Sequence, residues 1–376
     1  MHIRAAILQR SGAAPPYAAS RPLSIAGLEL GAPGPGEVLI EIRAAGLCHS
    51  DLSVIDGNRP RPLPMVLGHE AAGIVLEVGA GVTDLKPGMH VVAAFVPSCG
   101  HCAPCRAARP ALCEPGFAAN SAGTLLGGVR RLAAGGAPVN HHLGVSAFAT
   151  HAVLARASLV AIDPSVPFAQ AALFGCAVIT GVGAVVNTAG LTAGASAAIV
   201  GLGGVGLAAL LGARAQGADP IVAIDLDAAK RELALELGAT AVVDARAADA
   251  TAQARAASHG GVEFAFEMAG SSRALELAFA VTRRGGTTVS AGLAPPEARF
   301  QLPQTQLVAE ERTLRGSYLG SCVPARDIPL YLSWYRAGRL PVERLIDGTL
   351  SLDELNEGFD RLAGGGARRQ IMIPAP

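Results

Sequence analysis

Residues 195–225 read ASAAIVGLGGVGLAALLGARAQGADPIVAID, and this stretch decides how the rest of the chain is organised. The apolar run ASAAIV suits a buried strand, and it leads directly into Gly201-Leu202-Gly203-Gly204-Val205-Gly206. An apolar helical segment follows, and a second strand-like run, IVAID, ends on Asp225. A lone G-x-G-x-x-G says little. Between a strand and a helix, with an acidic residue closing the next strand, it is the fingerprint of a dinucleotide-binding βαβ unit. Gly201 allows the tight turn, Gly203 lets backbone approach a pyrophosphate, and Gly206 permits close packing of helix on strand, so the phosphates meet the helix N-terminus. Asp225 is expected to accept hydrogen bonds from the adenosine ribose. Its charge repels a 2′-phosphate, so NAD is expected over NADP. Arg231, further along, is expected to be a solvated helix charge.

Outward from this unit, strand-like and helix-like runs alternate from about 178 to 320: IVAIDLD then AAKRELALELGA, AVVDA, FAFEMAG then ALELAFAVTRRG, and TTVSAGL. That succession predicts an α/β fold with a doubly wound parallel sheet. Residues 1 to about 177 lack it. They are rich in Gly and Pro, with short runs such as EVLIEIRAAG, AAGIVLEVGA and HVVAAFV that fit a twisted, barrel-like β domain. FAQAALFGCAVITGVGAVVNTA reads as helix. Near the C-terminus, IPLYLSWYRAG reads as a helix and RQIMI as a final strand, and no internal repeat or low-complexity tract is present.

The chain has 376 residues and a formal net charge of zero, enough length for two domains and no bias toward nucleic acid or an anionic membrane surface. A small-molecule partner is expected. Positive charge is almost all arginine, with only Lys86 and Lys230 as lysines. Residues Pro164 to Ala213 carry no charge, but glycines, Asn187 and several hydroxyl residues break the run. It reads as buried elements of an α/β domain rather than a membrane span. MHIRAAILQR lacks the apolar core and cleavage site of a secretory signal, which points to the cytoplasm.

Cys99, Cys102, Cys105 and Cys113 form C-x2-C-x2-C-x7-C. Four thiolates this close suit one tetrahedral Zn²⁺, with Gly100, Pro104 and Pro110 supplying turns, and a site filled by sulfur has no position for substrate. A disulfide pair is the alternative. Cys48, Cys176 and Cys322 each stand alone, and His69 lies in LGHE between the first two. Cys48, His69 and Cys176 would make a three-ligand set with an open fourth position, the catalytic arrangement. Spacing alone leaves open that each is a buried core residue.

GLCHSDLS, LGHEAAGIVLEVGAGVTDLKPGMHV, the four-cysteine lobe, FGCAVITGVGAVVNTA and GLGGVG, with LNEGFDRL and Arg369 near the C-terminus, resemble the zinc-dependent medium-chain alcohol dehydrogenases in order and spacing. The resemblance implies a GroES-like β-rich catalytic domain over 1–177, with a structural zinc lobe at about 97–115, a Rossmann NAD-binding domain over 178–320, and a return to the catalytic domain over 321–376. It implies two zinc ions per subunit. Cys48, His69 and Cys176 take the catalytic zinc, and the four-cysteine cluster takes the structural one. Ser50 matches the hydroxyl that bonds the substrate oxygen and starts proton removal, Asp51 the carboxylate that orients His69, and Glu70 the glutamate beside the metal. His49 and Arg369 match pyrophosphate contacts, Thr180 and Val205 residues that press the nicotinamide toward the metal, and Lys230 a basic residue near the adenosine ribose. Gly201, Gly203, Gly204 and Gly206 complete the cofactor loop.

The implied activity is reversible hydride transfer between an alcohol and NAD, the product being an aldehyde or ketone. Departures are also visible. Ser53 stands where many members carry the histidine that finishes the proton relay. In the implied substrate pocket, Phe95 matches an aromatic wall, while His142 replaces an aromatic residue and Tyr318 an aliphatic one. A thiol-adduct-linked formaldehyde dehydrogenase shares fold, zinc and NAD, and a non-catalytic zinc-stabilised protein would share the fold alone. The long segment after Cys113 resembles dimeric rather than tetrameric members, so a homodimer is expected, with a tetramer as the alternative.

Overall fold

The computed structural model describes residues 1–95 and 97–374; Val96, at the end of the expected HVVAAFV strand, lies outside the described residues. The chain divides into two compact units, Met1–Cys176 with Val323–Leu330 and Ile346–Pro376, and Ala177–Cys322 with Tyr331–Leu345. Tyr331–Leu345 therefore belongs with the dinucleotide fingerprint, whereas the sequence reading assigned all of 321–376 to the other domain. The reason lies in Tyr331, which is fully buried with its hydroxyl 3.2 Å from Asn187 Nδ2 and 3.8 Å from Cys322 Sγ.

The second unit is built on a parallel sheet. Among the described residues its strands lie in the order Ala241–Asp244, Ile221–Asp225, Ala197–Val200, Val262–Glu267, Thr282–Ser290 and Thr313–Gly316. Each neighbouring pair is parallel. Strand order reverses on either side of Ala197–Val200, and in open sheets of this kind ligands bind at the carboxyl end of the strands where that reversal occurs. Ala197–Val200 is buried throughout, as a central parallel strand covered on both faces must be. Helices Gly204–Ala215, Ala228–Glu236 and Ser272–Val281 follow the expected runs. Helix Ala250–Ala257 was not anticipated; its apolar face is made of alanines alone, with Ala250 and Ala254 the buried residues.

In the first unit His2–Leu8, Leu23–Leu30, Leu132–Ala134, Ala137–His141 and Met65–Val66 close into a barrel. Ile3, Ile7, Leu28, Val66, Val139 and Val153 are among the side chains packed in one core cluster there. A second sheet centres on Glu37–Gly46, which pairs with Ala71–Val78, His151–Ala155 and the C-terminal Gln370–Met372. This last pairing sets Ile371 opposite Gly46 and so returns the end of the chain to the residues just before Cys48.

The expected single helix over FAQAALFGCAVITGVGAVVNTA is broken. Phe168–Leu173 and Ala177–Gly183 are helical, and the chain then continues as a wider, π-type turn over Ala184–Ala189. At the break, a Cβ on Gly175 would meet Ala93 O at 2.3 Å, so close backbone approach bends the chain just before Cys176.

Candidate active site

Three separate chain reversals converge in the first unit. Cys48 leaves the strand Glu37–Gly46 in an extended conformation (φ −131°, ψ 151°) and caps the helix His49–Ile55. His69 follows Gly68, whose φ of +89° and closeness to Phe148, 2.6 Å from a built Cβ to the Phe148 nitrogen, exclude any side chain. Cys176 follows the Gly175 bend. The ligand atoms of Cys48, His69 and Cys176 all lie within 4.8 Å of one another, and all three residues are buried.

The electrostatics of this trio suit a cation. The Cys48 thiol lies well below its ordinary pKa because Cys176 hydrogen-bonds its thiolate, burial opposing and His69 and Arg369 assisting. Cys176 is raised by the same contact and by burial. His69 is pushed down by burial but carried well above its usual value by Asp51 and Cys48. A buried imidazole whose surroundings favour positive charge, with an Nε2 that finds no hydrogen-bond partner, is what a soft divalent metal would satisfy. Two sulfurs and one imidazole match the donor set of zinc and leave its fourth position open.

Behind the trio, Asp51 is fully buried, with Oδ2 3.1 Å and Oδ1 3.2 Å from His69 Nδ1. Gly68 N–H donates to Oδ1 at 2.9 Å. Burial works against the Asp51 charge, yet His69 and His142 outweigh it and leave the carboxyl at about 2. Glu70 is buried beside Arg369, 3.6 Å from its Oε2 to Nη1, and Arg369 Nη1 donates to Leu47 O at 2.8 Å. Ser50 is half-buried and His49 exposed on the same short helix, where Ser53 Oγ donates to His49 O at 2.8 Å. Phe95 packs edge-on to His69, ring centroids 5.2 Å apart. His142, read from sequence only as a pocket wall, stands with Nε2 3.3 Å from Asp51 Oδ1; burial pushes its pKa down against the pull of Asp51. The sequence signal for that approach was the Gly144 that lets HHLGVSAF turn back.

The four-cysteine lobe forms a second cluster, its sulfurs also within 4.8 Å of one another, and none of the cysteines is in a disulfide. Backbone N–H groups of Cys99 and Gly116 donate to Cys113 Sγ at 3.2 and 3.3 Å, and Cys102 N–H to Cys99 Sγ at 3.3 Å. Backbone hydrogen bonds bring Cys99 down to about 7 and also lower Cys102, whereas burial pushes Cys105 up to about 12 and raises Cys113, so two of the four thiols lean toward the thiolate without a metal and two do not.

In the second unit Gly201 has φ +94°, and Gly204 and Val205 open the helix Gly204–Ala215. A Cβ on Gly206 would lie 1.8 Å from Gly201 O, while one on Gly203 would meet nothing within 4 Å. The open side at Gly203 is the space a pyrophosphate needs. Asp225 Oδ2 accepts Leu202 N–H at 2.6 Å and Oδ1 accepts Asp227 N–H at 2.8 Å, tying the acidic residue to the loop. Arg231 is not a solvated charge. Its side chain is 15% exposed and bonds Asp225 O at 2.8 Å, Leu226 O at 3.0 Å and Asp244 at 3.3 Å, bracing the end of the strand. Lys230 is half-buried on the same helix, Ala228–Glu236, Thr180 is buried in Ala177–Gly183, and Tyr318 is half-buried at the start of the turn Leu319–Ser321.

Residues 34–164 match the family described as alcohol dehydrogenase GroES-like domain, and residues 204–336 that described as zinc-binding dehydrogenase. S-(hydroxymethyl)glutathione dehydrogenase of Paracoccus denitrificans is 35% identical over 97% of this chain and 100% of its own length. The benzyl alcohol dehydrogenase structure from Acinetobacter calcoaceticus is 32% identical, covers 100% of both chains and superposes with a TM-score of 0.93. A Sinorhizobium meliloti chain bound to NADP is 27% identical, with a TM-score of 0.81 over 100% of both chains. No helix among the described residues is long and apolar enough to cross a membrane.

Proposed function

The chain belongs to the zinc-dependent medium-chain alcohol dehydrogenases, and from that premise we propose that it interconverts a small alcohol and its aldehyde or ketone with NAD, using two zinc ions per subunit. The observation that carries this reading is the buried convergence of Cys48, His69 and Cys176 around an unpartnered His69 Nε2. Zinc, when bound, supplies Lewis acidity toward a substrate oxygen, and the nicotinamide dinucleotide supplies hydride transfer.

The chain's own groups do the rest. Asp51 holds His69 by Nδ1, which fixes the tautomer and aims the Nε2 lone pair at the metal position. Ser50, two residues from Cys48, takes the hydrogen bond of the substrate hydroxyl and begins removal of its proton. With Ser53 in place of a relay histidine, this helix offers no second imidazole at that position to carry the proton onward, so Ser50 would be the side chain that holds it before it reaches water. Phe95 and His142 shape the substrate side in the first unit, and Tyr318 is assigned to the same pocket by resemblance. Glu70 and Arg369 form a buried charged pair beside the cysteines. The Gly201–Gly206 backbone receives the pyrophosphate, with His49 and Arg369 contributing positive character. Thr180 and Val205 would bear on the nicotinamide, and Lys230 would serve the adenosine ribose. Asp225 accepts the ribose hydroxyls and disfavours a 2′-phosphate, so NAD is preferred. The cysteine cluster at Cys99, Cys102, Cys105 and Cys113 braces its lobe with the second zinc.

A steady-state panel of primary, secondary, allylic and benzylic alcohols with NAD, together with S-(hydroxymethyl)glutathione, tests the reading. Turnover of a simple alcohol supports it. Turnover of the thiol adduct alone would move the assignment to a formaldehyde dehydrogenase, and turnover of none would leave a non-catalytic zinc protein.

A further inference from the structure

Asp51 has more partners than the orientation of one histidine requires. Besides Gly68 N–H and both approaches of His69 Nδ1, its Oδ1 lies 3.3 Å from His142 Nε2. His142 arrives on a turn with an unusual backbone, in which Leu143, Gly144 and Ser146 have φ of 51°, 71° and 57°. The turn is closed by His142 N–H donating to Ser146 Oγ at 2.9 Å, and by Val145 and Ser146 N–H donating to His142 O at 3.0 and 3.2 Å. Non-glycine residues held in the left-handed region cost on the order of 1–3 kcal/mol each and persist where surrounding structure over-determines them. Here Ala147 and Phe148 N–H donate to Gly68 O and Leu67 O at 2.9 and 3.0 Å, which locks the turn against the segment that carries His69.

The position of the His142 proton follows from burial. The ring is buried and stands edge-on to His69 with centroids 5.7 Å apart; neither nitrogen makes a well-formed hydrogen bond, and the acceptor that Nε2 approaches is Asp51 Oδ1, at 3.3 Å. A neutral imidazole carries one N–H. On Nδ1 that proton would be buried without an acceptor, and the Nε2 lone pair would face an anion. On Nε2 it meets the carboxylate.

We propose that His142 is a positioning residue whose Nε2–H completes a His142–Asp51–His69 bridge and thereby holds the metal-binding face of His69 in place. Two imidazoles on one buried carboxylate leave Asp51 no freedom to swing, so His69 is kept aimed even when the metal leaves. The proposal rests on the reading of Cys48, His69 and Cys176 as a zinc site.

Chelator-driven zinc release from the purified holoenzyme tests it, comparing wild type with His142→Phe and His142→Gln. Loss of the direct partner of a metal-binding histidine, here Asp51, weakens metal binding by roughly 10–100-fold, and His142 acts on His69 one contact further out. His142→Phe should therefore release one zinc per subunit several-fold faster, up to about tenfold, and His142→Gln, which keeps a donor, should restore most of the retention. The zinc at the four cysteines should leave at the wild-type rate in both and serves as the control for folding. In cobalt-substituted protein, the visible band of the Cys48/His69/Cys176 site should shift in His142→Phe and return toward wild type in His142→Gln. Release at the wild-type rate from His142→Phe would overturn the proposal. Long-range ¹H–¹⁵N imidazole spectra of the unmodified protein decide independently of any variant: the Nε2–H tautomer at His142 supports the bridge, and the Nδ1–H tautomer overturns it. Wild-type protein holding zinc only at the four cysteines would overturn the zinc reading itself, and the bridge with it.

Discussion

Gly206→Ala and Gly203→Ala should separate two demands that the same loop places on glycine. A Cβ at Gly206 would sit 1.8 Å from Gly201 O, 2.9 Å from Gly201 C and 3.4 Å from Met268 Cβ, and the first two are backbone atoms that cannot rotate away. The helix Gly204–Ala215 would have to retreat from its strand by more than about 1 Å, and overpacking of this kind costs about 1–3 kcal/mol. Alanine's better helix propensity returns at most about 1 kcal/mol. An approach of 1.8 Å to a backbone oxygen belongs at the upper end of the overpacking cost, so the apoprotein should lose roughly 2 kcal/mol of stability. Cofactor affinity should fall about tenfold or more, since 1.4 kcal/mol of lost contact at the displaced helix N-terminus corresponds to a factor of ten. At Gly203 the built Cβ meets nothing within 4 Å and φ is −69°, so Gly203→Ala should leave apoprotein stability unchanged or slightly raised. Its methyl group would instead occupy space that the pyrophosphate needs, and weaken binding without unfolding. Thermal denaturation of the cofactor-free proteins and calorimetric titration with NAD measure the two effects. Wild-type NAD affinity in Gly203→Ala, or unaltered stability in Gly206→Ala, would refute the assignment of this loop.

Asp225→Ser should weaken NAD use and narrow the preference over NADP, read as kcat/KM for both cofactors; a wild-type enzyme that already favours NADP would place the discrimination elsewhere. Loss of two N–H acceptors in that variant should also loosen the glycine loop, visible as faster amide exchange at Leu202 and Asp227. Cys102→Ser should release one zinc and lower the thermal midpoint, because a closed zinc site contributes directly to folding; metal content and calorimetry check this. Ser50→Ala should depress alcohol oxidation by at least about a hundredfold, the usual scale of a positioned proton-transfer group. Ser53→Ala should have little effect, since Ser53 Oγ is engaged by the His49 carbonyl. Equal losses from the two changes would show that the proton does not leave by way of Ser50.

The glycine loop was legible from sequence because its constraints are local: each glycine answers to a neighbour a few residues away, and Asp225 closes the very next strand. The four cysteines were legible for the same reason. Cys48, His69 and Cys176 were different: residue type suggests them as a three-ligand set, but their spacing does not distinguish ligands from buried core residues, and the resemblance to a known family is what favoured the ligand reading. What brings them together is tertiary: the left-handed Gly68, the Gly175 bend against Ala93, and the C-terminal strand laid beside Gly46. His142 was seen as a polar substitution in a pocket, but its approach to Asp51 depends on left-handed φ at Leu143 and Ser146, residues that rarely adopt it. Arg231 was misread because helical position alone suggests solvent, whereas a long guanidinium can fold back onto carbonyls at a strand end. The end of the chain was misassigned in part because apolar periodicity in YLSWYRAG identifies a helix without identifying which core it packs against.

Zinc content of the purified wild-type protein, measured alongside Cys176→Ser, tests the central claim most directly. The account predicts two zinc ions per wild-type subunit. Cys176→Ser should retain one zinc, hold its fold by circular dichroism and lose alcohol oxidation. One zinc or none in fully active wild-type protein would contradict it, as would a Cys176→Ser variant that keeps both metals and full turnover.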